Sequence, residues 1–199
     1  MFTDQDTWKL LVQAHNYTKF FLLKAEEIDP RHQFFYPPLI QQRDALDHIM
    51  RAAFARLYPE EYSSLSDKDR DRESDPDKYA ERQLDKALGH AYRAMFDAGD
   101  WLGIIYRERV RELMAAYSVE TINKVLPEFR PKVEPRIEAI GLETAALRGT
   151  KDIGNKKFLI KGAEEYKDLI DELEGYWQAA WGARASLDRQ EFGQSQEPQ

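Results

Sequence analysis

The chain of 199 residues has no cysteine. That excludes disulfides, thiolate zinc sites and cysteine nucleophiles, and it fits a reducing compartment. No long apolar run is present. The strongest candidate, Phe20-Phe21-Leu22-Leu23, is flanked by Lys19 and Lys24, far short of the roughly eighteen apolar residues a membrane helix needs. The opening M-F-T-D-Q-D-T-W-K has no basic stretch followed by an apolar core, so no secretory signal is expected and a cytoplasmic location is. Runs alternating at period two are missing, and with them any argument for strands. G-x-x-x-x-G-K, G-x-G-x-x-G, G-x-S-x-G and H-E-x-x-H are all absent, so no nucleotide cofactor is implied. An excess of positive charge is lacking too. The net charge is −7 and the pI about 5.2. Duplex DNA is therefore not an expected partner, whereas RNA at a local basic site is left open.

What is present is helical periodicity, which predicts an all-α bundle of five to six helices, mainly up-and-down, as one domain over 1–188. A first helix spans 4–28, capped by Thr3 or Asp4, with Leu11, His15, Thr18 and Leu22 on one face and Trp8, Phe20 and Phe21 widening it. An aromatic connector leads to a second helix over 38–58, whose core stripe reads Leu46, Met50, Ala53, Leu57. Residues 59–77 are a charged low-complexity stretch, expected as a mobile loop or a short exposed helix. A long helix follows over 77–117, with Gly99 and Gly103 as places for a kink or a close helix crossing. Ser118 caps a segment running to about 148, broken between 126 and 135 by Pro127, Pro131 and Pro135. A polar turn precedes a last helix over 156–187, and 189–199 reads as a polar tail.

Two segments are nearly alike. Residues 45–54 and 87–96 both fit A-L-x-H-x-x-R-A-x-F. At about 100° per residue, His48 lies about 200° from Leu46 and Arg51 about 140°. The His/Arg pair should thus point away from the core stripe, and the same holds for His90 and Arg93. Asp47 and Arg51 have the i,i+4 spacing of a helical ion pair. His90, Arg93, Asp97 and Trp101 form one line, a candidate binding surface. Arg148 and Lys151 mark the most basic spot of the chain, a second candidate for an anionic ligand.

The first copy also contains Arg43-Asp44-x-x-x-His48, of the form R-x4-H with a polar residue after the arginine. This resembles the signature of HEPN-domain proteins, which are small helical bundles, many of them dimeric endoribonucleases of toxin and antiviral systems. The resemblance implies acid–base chemistry at His48 on an RNA 2′-hydroxyl, with Arg43 steadying phosphate charge and Asp44 beside them. An imidazole titrating near neutrality suits the first task and a planar guanidinium the second. A third arrangement is a metal-binding bundle using His15, His48 and His90 from successive helices. Four tryptophans and ten tyrosines exceed the needs of a minimal core. Trp177 and Trp181 on the last helix suit an interface. The leading expectation is an interaction or regulatory protein, a homodimer or an accessory subunit of a bacterial defence or toxin–antitoxin assembly. The HEPN-like, metal-independent ribonuclease is the alternative.

Overall fold

The structure is a computed structural model in which residues 4–31, 35–149 and 156–193 are described. They form seven α-helices and one π-helical turn, with no strand among them: α1 Asp4–Ile28, α2 Pro37–Leu57, α3 Pro59–Ser64, α4 Pro76–Ala115, α5 Val119–Val125, the π turn Phe129–Val133, α6 Glu134–Gly149 and α7 Lys156–Phe192. The all-α expectation is met. The helix count exceeds the expected five to six because 59–77 contains α3 and the prolines divide 119–149. No helix is long and apolar enough to cross a membrane among the described residues.

The chain separates into two compact units. The first contains Met1–Gly99 and Asp152–Ile160, the second Asp100–Lys151 and Lys161–Gln199. In the first unit α2 runs antiparallel to the first half of α4. Gln41 meets His90, His48 meets Gln83, and Arg56 meets Asp77, so the partner number falls as the residue number rises. The buried residues of α2 are Pro38, Ala45, Ala52 and Ala55. This corrects the expected core stripe: Leu46 is 55 % exposed, Met50 54 % and Leu57 71 %. Alanine faces let two helices approach closely, and α4 answers with Ala87, Ala91 and Ala94, all buried. α1 is corrected likewise. Leu10, Leu11, Ala14, Thr18 and Phe21 are buried, whereas Trp8, Val12 and His15 face outward.

The charged stretch 59–77 is tied down. Tyr62 is fully buried against Tyr79 and Ala55, and its hydroxyl donates to the Glu73 carbonyl at 2.6 Å. Asp71 and Arg72 have φ of 50° and 60°, left-handed backbone that asparagine and aspartate tolerate better than most residues.

In the second unit, Gly103 meets α7. A Cβ there would stand 3.1 Å from Ile170 Cδ1, so this glycine serves a close helix approach, and α4 stays continuous through Gly99 and Gly103. Ser118 caps α5 by accepting from the Thr121 amide at 3.2 Å. α5 ends at Val125, and the π turn then absorbs Pro131, whose missing N–H cannot continue an α ladder; the Val133 amide bonds instead to the Glu128 carbonyl at 3.2 Å. α7 runs to Phe192, so residues 189–192 are helix and not tail. The Ser118 hydroxyl donates to Glu191 at 2.7 Å and the Tyr117 hydroxyl to Asp188 at 2.7 Å. Arg136 clamps Glu172 through Nε and Nη2 at 2.9 and 2.8 Å, a bidentate pair that raises the guanidinium pKa and lowers that of the carboxyl.

Candidate functional site

The two copies of the repeat face one another. The His48 and His90 rings stack at 5.3 Å between centroids with an interplanar angle of 25°. The expectation that both point away from the core therefore fails, because the Ala45–Ala52–Ala55 face of α2 is the inner one and His48 shares it. His48 Nδ1 donates to Gln83 Oε1 at 2.6 Å, and His90 Nδ1 to Gln41 Oε1 at 2.8 Å. Gln83 is buried, and its amide nitrogen donates to Asp71 at 3.0 Å, which aims its oxygen at His48. Lys86 holds the same Asp71 carboxylate at 2.8 Å, and this pairing keeps the Asp71 pKa below its ordinary value. With Nδ1 carrying the hydrogen, each neutral ring has its lone pair on Nε2.

The exchange is reciprocal. Gln41 lies seven residues before His48, and Gln83 seven before His90. The repeat is thus longer than the ten-residue alignment, Q-x-x-x-A-L-x-H-x-x-R-A-x-F, and the glutamine of each copy orients the histidine of the other. The ten-residue pattern starts at the alanine and leaves these glutamines outside it. The signal was legible: a polar residue two turns ahead of each histidine, on the same face.

Charge around the pair is unequal. Asp44 accepts from Arg43 Nε and Nη2 at 3.0 and 2.7 Å. That pairing lowers the Asp44 pKa, and the two imidazoles lower it further. Burial, then Arg93, then His48 press the His90 pKa below 6.5, while Asp44 acts against them. Arg51 reaches Asp47 at 2.7 Å, as the spacing predicted.

Arg43 and His48 diverge. α2 is a regular helix through both, and Arg43 lines a groove between α1 and α2 while His48 faces α4. The groove has a volume of about 510 Å3, with Ala45 and Ala91 among its lining and Trp8, Val12, Leu39 and Leu46 along it. Its ionisable lining residues are His15 and Arg43, neither an acid. His15 therefore stands apart from the His48–His90 pair in its surroundings, and no group of three or more His, Cys, Asp or Glu side chains among the described residues could hold a metal ion.

The remaining expected residues are spread out. Arg93 is exposed, Asp97 half-buried, and Trp101 half-buried within the second unit. Arg148 forms an ion pair with Asp100, so the basic spot is partly neutralised. Lys151 lies outside the described residues. Trp177 and Trp181 lie 5.3 Å apart, with Arg109 and Arg184 over their rings at 5.0 and 4.9 Å. No protein-family model matches the chain, and no curated protein or solved structure matches it either.

Proposed function

We propose that the chain acts through protein contacts, as an interaction or regulatory module whose docking surface is the α1/α2 face of the first unit. The observation that carries this reading is the exposure of the large apolar residues of α2. Leu39, Leu46, Met50 and Leu57 all face outward, and Trp8 and Val12 of α1 stand exposed beside the groove that Leu39 and Leu46 line. A contiguous apolar face of this kind is a cost in solution unless a partner covers it. The Trp177–Trp181 pair is a weaker candidate, since arginines of its own chain already lie over its rings.

The test is association of the purified full chain, alone or with a stoichiometric partner, followed by light scattering. Met50→Lys should abolish association with an unchanged circular dichroism spectrum, and Trp181→Ala should leave it intact. Association indifferent to Met50→Lys sinks the reading.

A HEPN-like ribonuclease is the second reading, favoured by one observation: both imidazoles have Nδ1 occupied and Nε2 available for proton transfer. Arg43 would have to act from the groove side, so a second chain would be needed to bring guanidinium and imidazole to one phosphate. Cleavage of mixed RNAs that survives chelator and vanishes in His48→Ala would establish it in place of the first reading.

A further inference from the structure

The exposed face of α2 has a period of its own. Leu39, Arg43, Leu46, Met50, Ala53 and Leu57 follow one another at steps of four, three, four, three and four. This is the spacing of a helix that packs along another helix, with one row of side chains per 3.5 residues. The inner face, which carries Ala45, His48, Ala52 and Ala55, lies about 160° around the helix. α2 therefore has two seams: a small-residue one spent on α4, and a large-residue one with four exposed apolar side chains.

Resting on the protein-contact reading, we infer that the second seam is covered by α2 of another copy of this chain, running antiparallel about a two-fold axis near position 48. The chemistry of the seam selects both occupant and direction. In this register Leu39 meets Leu57 of the second copy, Leu46 meets Met50, and Arg43 meets Ala53. The small Ala53 leaves room for the one charged side chain of the seam, which Asp44 holds at 2.7 Å. A parallel alignment would set Arg43 against its own copy, placing like charges together in an apolar seam. Beside the seam, Ile40 comes next to Phe54 of the second copy, an apolar pair flanking the row. Near the axis Asp47 comes beside Asp47 of the second copy, and the Arg51 that each Asp47 already holds at 2.7 Å supplies the compensating positive charge there. The groove between α1 and α2 gives the incoming helix a concave seat, with Trp8 and Val12 as its far wall. An isologous contact of this sort closes on itself and leaves no open end.

The experiment uses the full chain. Sedimentation equilibrium across a concentration series should give twice 23.3 kDa for the wild type. Leu46→Lys should raise the dimer dissociation constant by at least about tenfold, as expected for a charge placed at the centre of an interface. Leu57→Lys, at the end of the seam, is the second variant should the first fail to fold, with circular dichroism reporting the fold of each. Direction is read by cysteine cross-linking, which has no background because the chain has no cysteine. Leu39→Cys mixed with Leu57→Cys should form a disulfide-linked dimer under mild oxidation, and neither variant should do so alone. A wild type that is monomeric throughout overturns the inference, as does self-linking of Leu39→Cys or a dimer unmoved by the lysine variants. A monomer that binds a different protein through Met50 would overturn this inference while leaving the protein-contact reading standing.

Discussion

Leu46 and Leu88 occupy the same place in the repeat, yet Leu46 is 55 % exposed and Leu88 1 %. Phe54 and Phe96 differ in the same sense, at 37 % and 2 %. The alanines do not differ: Ala45, Ala52, Ala87 and Ala94 are all buried. Nor do the histidines, which are half-buried in both copies and stack on each other. The two copies thus share one buried face, Ala–His–Ala, and diverge on the other. α4 is packed on several sides within the first unit, so its leucine and phenylalanine find neighbours. α2 is packed on its alanine side, and its leucine and phenylalanine stay largely in solvent. Identical letters specify identical helical faces, but the number of helices available to cover those faces is decided by topology.

The largest expected difference between the copies is in side-chain truncation. Leu88→Ala should lower unfolding free energy by about 2–5 kcal/mol, because a buried leucine leaves both lost burial and a cavity. Leu46→Ala should change the free chain by less than about 0.5 kcal/mol, as exposed positions do. Urea titrations of the two variants measure this, and equal losses would break the comparison. A smaller effect is expected at the glutamines. Gln83→Leu strands the His48 Nδ1–H and one Asp71 contact in a buried place, at about 1–3 kcal/mol. Gln41→Leu, half-exposed, should cost less. Nitrogen shifts of the imidazoles should show His48 losing its Nδ1–H preference in the first variant and His90 in the second.

The pH dependence sharpens the contrast further. Burial, Arg93 and His48 lower the His90 pKa in the folded chain below 6.5. The unfolded chain then takes up the proton first, so this contribution is complete above about pH 6.5 and is lost as pH falls through the depressed value. His90→Gln should flatten the stability profile in that window, and a profile as steep as the wild type would contradict the assignment. The smallest effect belongs to the exposed Asp47–Arg51 pair, where Arg51→Ala should cost the isolated chain about 0.3–0.5 kcal/mol, reduced by added salt.

Much of the fold is readable in the sequence. The ends of α1 and α2 follow from Asp29-Pro30 and Tyr58-Pro59, because a residue before proline leaves helical geometry. The cap at Ser118 and the break after Val125 follow from equally local chemistry. α3 was less legible, since its anchor is one tyrosine, Tyr62, buried against Tyr79 from a distant part of the chain. The candidate site divides in the same way. That His48 and His90 are equivalent is written in the repeat. That they touch is not, because choosing between two apolar seams on α2 required knowing which one α4 would take.

The sequence by itself determined the helices, their ends, and the existence of two like faces carrying histidine. Backbone propensity, capping and proline act over a few residues and need no partner. The tertiary structure alone decided that the alanine seam goes inward and the leucine seam outward. Small residues let α2 and α4 come close enough for two glutamines to reach two histidines. With that face spent on α4, Leu46, Met50 and Leu57 stay exposed on the other side of α2.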